Sequence, residues 1–183
     1  MTMQKVINEM IKIGRKLGQF RLVDGASGNM SCRIGDFMLI TRSGSILDDL
    51  TPQDFVYVKI GEFCKGISSD WKVHKAIYEK TDYKAVLHCH GVYNVVLSLI
   101  HDEIVPRDLE GGIFLKKVRV VEGEFGSDEV AEAIADEIAR NGIAIHKGHG
   151  IYSAGKDMIE AFNKACYLEH SCEILYRLKV LKR

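Results

Sequence analysis

The stretch "AVLHCHGVYN", residues 85–94, contains the pattern from which the fold is best worked out. It opens with three apolar residues, and a short apolar run of this kind is typical of a buried strand. Successive side chains of a strand point to opposite faces, so His88 and His90 share one face while Cys89 fills the core on the other. Two imidazoles in this arrangement suit neighbouring positions of a metal's coordination shell. Two polar residues at a strand end are the alternative, and the pair alone does not decide.

A second pair of histidines follows an apolar run in "IHKGHGIY", residues 145–152. Glycines flank His149 on both sides and would let its backbone approach a ligand closely. Together with His88 and His90 it supplies three imidazoles, and three imidazoles with one open position are typical of a catalytic zinc site. His146 is interpreted as a surface histidine at a strand end. The other histidines are interpreted as helix-surface or packing residues: His74, His101 and His170.

Composition limits the class of protein. The 183 residues suit one domain, 1–183, that is long enough to bury a core. Basic and acidic residues number 25 each, which disfavours a nucleic-acid-binding protein. No apolar run approaches the roughly 18–20 residues that span a bilayer, so we expect no membrane partner. The five cysteines are odd in number and lack a C-x-x-C pair, which favours a reducing, cytoplasmic location.

Helices are predicted where apolar side chains recur at helical spacing. Residues Met3–Leu17 show this spacing with charges throughout, so they indicate an amphipathic helix and not a signal peptide. The segment 127–142 is the clearest helix, because it begins with Ser127 as a cap and ends at Gly142. A long final helix is predicted over residues 158–181.

Strands are predicted between these helices. Two of them flank a tight turn at Gly35-Asp36, and another covers Phe55–Ile60. The segment "IAIHKGHGIYSAG", residues 143–155, is predicted as one strand and a turn. This mixture predicts an α/β fold, in which helices pack on the faces of a sheet that is mainly antiparallel.

Three loops are rich in small polar residues: "GASGNMS" (25–31), "TRSGS" (41–45) and "GISSDW" (66–71). None matches a P-loop or a dinucleotide-binding fingerprint. Their backbone N–H groups and hydroxyls could still hold a phosphate, although each loop alone is equally an ordinary turn. Asp70 lies at a helix start, where it could act as a cap or, near a metal, could ligate the metal or move protons.

In order and spacing, these blocks resemble the class II aldolase/adducin-like family, which includes L-fuculose-1-phosphate aldolase and L-ribulose-5-phosphate 4-epimerase. The resemblance covers nearly the whole chain. Its blocks are "SGNMSCR", "LITRSGSILDDLTPQDFVYV", "GISSDWKVHKAIY", "AVLHCHGVYNV" and "HGIYSAGKDMIEAFNKACYLEH".

The resemblance implies a fold and a set of site residues. The fold is a central, mainly antiparallel sheet with helices on both faces, a three-layer αβα arrangement. The members are usually homotetramers with the active site at a subunit interface. The implied zinc ligands, where Mn²⁺ or Co²⁺ could replace zinc, are His88, His90 and His149. The implied ligands of the substrate phosphate are Gly28, Asn29, Ser43, Gly44, Ser68 and Ser69.

The implied reaction is that of a zinc-dependent aldolase. It would cleave a ketose 1-phosphate, similar to fuculose 1-phosphate, into dihydroxyacetone phosphate and an aldehyde through a metal-stabilised enediolate. Asp70 takes the position of a family glutamate that ligates the metal and acts as acid and base. The family aldolases also use a tyrosine from the neighbouring subunit, and Asp108 or Glu110 would replace it here.

Three alternatives remain open, one of which is a related dehydratase or decarboxylase. An aspartate at position 70 is typical of the 4-epimerases, so a metal-dependent pentose-phosphate 4-epimerase is the first alternative. The expected lack of a C-terminal tail after the last helix disfavours it. The second alternative is a non-catalytic, adducin-like module, which the three histidines disfavour.

Overall fold

The computed structural model describes residues 2–181 and contains one mixed sheet of eight strands. The strands are β1 (Asn29–Ile34), β2 (Phe37–Thr41), β3 (Phe55–Lys59), β4 (Ala85–Cys89), β5 (Glu103–Ile104), β6 (Val118–Val121), β7 (Ile143–His146) and β8 (Gly150–Gly155). Their order across the sheet is β3-β2-β1-β4-β8-β7-β6-β5. Every neighbouring pair is antiparallel except β6 and β7, so the predicted mainly antiparallel sheet is confirmed.

In this described part of the chain, six helices cover the two faces of the sheet. They are α1 (Met3–Gln19), α2 (Trp71–Lys80), α3 (Val92–Ser98), α4 (Leu109–Phe114), α5 (Asp128–Asn141) and α6 (Met158–Leu181). One core lies between the sheet and α1, α3 and α6, and the other lies between the sheet and α2 and α5. This confirms the three-layer arrangement. Within residues 2–181, every helix is too short or too polar to cross a membrane.

Strand β4 sits inside the sheet, between β1 and β8, and all five of its residues are buried. Its side chains alternate as predicted. Leu87 and Cys89 belong to the core beneath α1 and α6, whereas Val86 belongs to the core beneath α2 and α5. His88 therefore points to the α2 and α5 side, and the prediction that Cys89 fills the opposite core is confirmed.

The helix boundaries follow the capping signals in the sequence. The Oγ atom of Ser127 accepts a hydrogen bond of 3.1 Å from the N–H of Val130. Gly142 ends α5 in the left-handed region, with φ 71°, as glycine after a helix commonly does. The final helix has the predicted bounds, 158–181.

The prediction of one strand and a turn over residues 143–155 is wrong in its second half. The turn occupies residues 147–149, where Gly148 has a φ of 67°, and the chain then returns as β8. β8 pairs with both β7 and β4, so it lies in the middle of the sheet. Glycines at both ends of β8 weaken its local preference for extended structure, so the sequence did not indicate a strand. Pairing with distant strands outweighs that weak preference.

Glu169 of α6 anchors the start of α3, directly after His90. Its carboxylate accepts hydrogen bonds from the N–H groups of Tyr93 (2.8 Å) and Asn94 (2.9 Å) and from the side-chain amide of Asn94 (2.7 Å). A Cβ atom at Gly91 would overlap this carboxylate, so a larger residue there would displace the anchor. The first N–H groups of a helix have no partner within the helix, and here α6 supplies it.

We predict that Glu169→Ala lowers the free energy of unfolding by about 1–3 kcal/mol, because the part-buried N–H donors at the start of α3 lose their acceptor. Urea denaturation followed by circular dichroism measures the change. The control is Glu173→Ala on the same helix, which removes only a surface pair with Arg177. Its expected effect is within about 0.5 kcal/mol. Equal effects of the two substitutions would show that the anchor contributes no more than a surface ion pair.

Candidate metal centre

Three imidazoles converge at one end of β4. His88 is in β4, His90 follows it, and His149 lies in the turn between β7 and β8. The Nε2 atom of His88 is 2.8 Å from Nε2 of His90 and 2.8 Å from Nε2 of His149. All three ligand atoms lie within 4.8 Å of one another. The structure thus brings together the three histidines that the sequence singled out.

The surroundings of His88 fix which nitrogen faces its neighbours. Nδ1 lies 2.9 Å from the carbonyl oxygen of Ile151 and must donate to it, because a carbonyl only accepts. Nε2 of a neutral His88 then carries a lone pair directed at the other imidazoles. The carboxylate of Asp24 lies 3.7 Å from Nδ1 of His90. A hydrogen bond such as the one from His88 to Ile151 orients a histidine that binds a metal.

Burial keeps the three histidines neutral. It lowers the pKa of His88 well below its ordinary value, and the neighbouring imidazoles lower it further, against the attraction of Asp70. Burial and the proximity of His90 lower the pKa of His149 to about 4. The pKa of His90 is also lowered, mainly by burial. Three neutral nitrogens that point at one another form a donor set that fits a divalent metal ion of the zinc type.

Asp70 supplies a negative charge beside this cluster. Its Oδ2 atom is 3.7 Å from Nε2 of His88 and accepts hydrogen bonds from Asn29 Nδ2 (2.8 Å) and from the Tyr152 hydroxyl (3.0 Å). Burial alone raises the pKa of Asp70, but His88, His74 and the two donors outweigh it, and the net pKa is lowered. The side chain is only 3 % exposed and does not cap α2 through a hydrogen bond. Asp70 is therefore an ionised, buried carboxylate aimed at the histidines.

The three small polar loops meet the histidines in a single cleft of about 160 Å³. Residues of β1, of β4 and of the segment directly before α2 line it. The predicted site residues that line it are Gly28, Asn29, Ser43, Gly44, Ser68, Ser69, Asp70, His88, His90 and His149. Residues that are far apart along the chain, such as Gly28 and His149, thus share one small polar space.

Gly28 at this cleft and Gly150 beside His149 are both required by space. Gly28 has a φ of 80°, and a Cβ atom there would lie 2.8 Å from the carbonyl oxygen of His88. A Cβ atom at Gly150 would overlap the carbonyl oxygen of Cys89. Side chains at these positions would push β1 and β8 away from β4, and so would separate the histidines.

Asp108 has a different location in the single chain. It is the N-cap of α4, and its carboxylate accepts a hydrogen bond of 2.9 Å from the N–H of Gly111. Among residues 2–181, it is not one of those that line the cleft. Within one chain, the structure brings together every predicted site residue except Asp108.

The interpretation of His146 as a surface histidine is wrong. His146 is 4 % exposed, and its Nε2 lies 3.1 Å from the carbonyl oxygen of Gly123. Its ring stacks on His149 at 5.2 Å, and the ring of Phe125 stacks on His149 at 5.0 Å. The loop after β6 covers the end of β7, and this packing is not visible in the local sequence.

Sequence reasoning did not assign a role to Arg42 or Phe125, both of which line the cleft. Arg42 lies beside Ser43, and its Nε donates a hydrogen bond of 2.9 Å to the carbonyl oxygen of Gln53. A cation within a loop of glycine and serine was a usable signal for an anion site. Phe125 has no comparable signal, since only its contact with His149 reveals its position.

The chain is similar to known proteins in family, sequence and structure. The model of the Class II Aldolase and Adducin N-terminal domain matches residues 8–176. An L-fuculose phosphate aldolase of Methanocaldococcus jannaschii is 37 % identical over 91 % of this chain and 93 % of its own length. A methylthioribulose-1-phosphate dehydratase of Persephonella marina is 30 % identical over 98 % of this chain and 93 % of its own length.

The solved structures include L-fuculose-1-phosphate aldolase from Thermus thermophilus. It superposes on this chain with a TM-score of 0.94 and 28 % identity, covering 98 % of this chain and 96 % of its own. The similarity therefore extends over the whole sheet and both helical layers.

We predict that the purified protein holds about one divalent metal ion per chain and that His90→Ala loses most of it, because a catalytic zinc needs three protein ligands. Elemental analysis by mass spectrometry measures the metal. The control is His101→Ala, an exposed histidine outside the cluster, which should keep the full metal content. Unchanged metal in His90→Ala would remove His90 from the ligand set.

Proposed function

The chain belongs to the class II aldolase and adducin family, and on that premise we propose that its cleft cleaves a ketose 1-phosphate, similar to fuculose 1-phosphate, into dihydroxyacetone phosphate and an aldehyde. The observation that carries the proposal is the joining of two features in one cleft. One is the cluster of three neutral imidazoles beside an ionised Asp70. The other is the set of small polar loops on the adjoining wall.

Zinc is the ion that we propose for the three histidines, with Mn²⁺ or Co²⁺ as substitutes. A divalent ion held there acts as a Lewis acid toward the substrate's oxygen atoms. The chain's own contribution is to present three unprotonated nitrogens, of which His88 is held by its hydrogen bond to Ile151. These histidines need no deprotonation before they can bind, since burial has already lowered the pKa of each one.

The loops are proposed to bind the substrate phosphate. Ser43, Gly44 and Ser69 are exposed to the cleft and offer hydroxyl and backbone N–H donors, and Arg42 adds a positive charge at the same wall. Phosphate contacts far from the reacting carbons supply binding energy that can position the substrate. Gly28, Asn29 and Ser68 complete the proposed set.

Proton movement is the proposed task of Asp70. In the cleavage, the C4 hydroxyl loses its proton, the C3–C4 bond breaks, and the aldehyde leaves. The electron pair stays on C3 of the other fragment, and a proton is then added to give dihydroxyacetone phosphate. An ionised carboxylate accepts a proton in one of these steps and returns it in the other. The short Asp70 side chain is held toward the cleft by Asn29 and Tyr152.

Two other reactions would use the same cleft. The aspartate at position 70 keeps the 4-epimerase as an alternative, because it would break and remake a similar carbon–carbon bond. A dehydratase is a further alternative, supported by the 30 % identity to the Persephonella marina enzyme. The aldolase is preferred, since the 37 % identical relative bears that name.

We predict that the metal-loaded protein releases dihydroxyacetone phosphate from at least one ketose 1-phosphate. The test is a coupled assay on a panel of fuculose 1-phosphate, 5-methylthioribulose 1-phosphate and ribulose 5-phosphate. Asp70→Asn should lower kcat by about 10²–10⁴-fold while it retains the metal, because it removes the proton acceptor. Asp70→Glu restores a carboxylate and should recover much of the rate.

Other products would overturn the assignment in defined ways. Interconversion of isomers without cleavage would identify an epimerase, and loss of water would identify a dehydratase. Full activity of Asp70→Asn would remove Asp70 from the proton transfer. Turnover of none of the sugars by metal-loaded protein would contradict the proposal.

A homotetramer with the active site at a subunit interface is also proposed. Large apolar side chains are exposed on and around α3 and α4, as interfaces between subunits require. They are Val92, Val96, Leu99, Ile100, Leu109, Ile113 and Phe114. Asp108 begins α4 and would reach a neighbour's cleft from this surface.

A cytoplasmic location is proposed as well, and the five free thiols support it.

We predict that Asp108 acts in the cleft of a neighbouring subunit. His90→Ala keeps Asp108 but loses a metal ligand, whereas Asp108→Asn keeps the metal and the helix cap. Mixed oligomers of these two variants, made by co-expression with different tags, should regain activity that each parent lacks. Mixtures of His90→Ala and His149→Ala are the control, because no subunit then has a complete ligand set. Inactive mixtures of the first pair would exclude a role for Asp108 across the interface.

A further inference from the structure

A chain of buried polar side chains runs behind Asp70, away from the cleft. The Nε2 atom of His74 lies 2.6 Å from Oδ1 of Asn29, and its Nδ1 lies 2.6 Å from Oγ of Ser31. The Ser31 hydroxyl is in turn 2.8 Å from the hydroxyl of Tyr78. His74 is 0 % exposed, so it is not on a helix surface. Through Asn29, this chain ends on Oδ2 of Asp70.

Chemistry fixes the direction of each hydrogen bond in the chain. Oδ2 of Asp70 accepts hydrogen bonds from Nδ2 of Asn29 and from the Tyr152 hydroxyl, so Oδ1 of Asn29 faces His74. Nε2 of His74 therefore carries the proton. Burial lowers the pKa of His74 to about 4, so the ring is neutral and its Nδ1 accepts from the Ser31 hydroxyl. The Tyr78 hydroxyl lies 3.0 Å from the carbonyl oxygen of Ser31, to which it donates, and 2.8 Å from the Ser31 hydroxyl. From Ser31 onward, every hydrogen bond of the chain points toward Asp70.

This arrangement makes the orientation of Asn29 depend on His74. The side-chain amide of asparagine has nearly the same shape in both orientations, and only its partners decide which end faces Asp70. With an N–H from His74 on one side, the amide oxygen is held there and the NH₂ group is held on Asp70. Without that donor, the amide can turn its oxygen toward the carboxylate, which repels Asp70 from its present position.

We propose that His74 is a positioning residue for the reaction: it locks the Asn29 amide and thereby holds the Asp70 carboxylate at the metal cluster. The inference deepens the proposed function and rests on it for its kinetic consequence. Its structural content, a proton on Nε2 of His74 that holds Asn29, stands apart from any substrate. His74 does not touch the cleft, because it is not one of the residues within 2–181 that line the cleft.

A role in packing alone would not need this arrangement. Burying four polar side chains costs free energy unless each is paired, and an apolar residue at position 74 would avoid that cost. The chain begins in the core at Tyr78 and continues to a carboxylate beside the three histidines. The hydrogen bonds of this buried chain therefore lead to Asp70.

Two substitutions of His74 provide a matched test. The amide nitrogen of glutamine takes the place of Nε2, so His74→Gln can still donate to Asn29. Asparagine is shorter, so His74→Asn cannot reach Asn29 although it is equally polar. Measured on metal-loaded protein, His74→Asn should lower kcat about 10–100-fold, with KM and metal content changed less than about 3-fold. His74→Gln should stay within about 3-fold of wild type. Tyr78→Phe, at the far end of the chain, should likewise retain its kcat.

A measurement without substrate separates this proposal from the proposed function. In spectra of protein with ¹⁵N-labelled histidine, the signal that disappears in His74→Gln belongs to His74. The expected result is a proton on Nε2 and none on Nδ1. A proton on Nδ1 would mean a turned Asn29 amide and would overturn the proposal, whatever the enzyme's substrate. Equal kcat losses for His74→Gln and His74→Asn would also overturn it, since loss of packing alone would then explain both.

Discussion

The position of β4 between β1 and β8 is the constraint on which the candidate site depends. The register pairs His88 with Asn29 on one side and with Tyr152 on the other, so three polar side chains form a row across the sheet. The ring of His88 stacks on Tyr152 at 4.0 Å. A slip of one residue in β4 would turn His88 into the opposite core and bring Cys89 to the cleft. Strand pairing therefore determines which groups can meet the metal.

The burial of charged and ionisable groups is the second physical constraint on the site. Asp70 is a buried carboxylate, and such a group is tolerated only with paired hydrogen bonds or opposite charge. Asn29 and Tyr152 supply the hydrogen bonds, and the candidate metal would supply the opposite charge. The same burial that makes Asp70 costly keeps the neighbouring imidazoles unprotonated. The same low-dielectric region thus holds the Asp70 carboxylate and three unprotonated imidazoles close together, where they can bind one cation.

The features that follow from local physics were predictable from the sequence. Strand alternation placed His88 and Cys89 on opposite faces, and capping signals set the bounds of α5. The features that depend on distant partners were not. The burial of His146 depends on the loop after β6. The proposed role of His74 depends on Asn29 in strand β1, which lies 45 residues earlier in the chain. Periodicity within one segment contains no information about such partners.

The distances along the chain between the members of the cluster have a consequence for folding. His88 is oriented by a carbonyl 63 residues away and faces an imidazole 61 residues away, so no local fragment contains the site. Loops of this length close late and slowly, because their entropy is lost before their contacts form. A chain whose central strands have not yet paired would lack the ligand set, so a metal ion would bind only after they have paired. The free energy of binding would then be added to the stability of the finished sheet and would slow its unfolding.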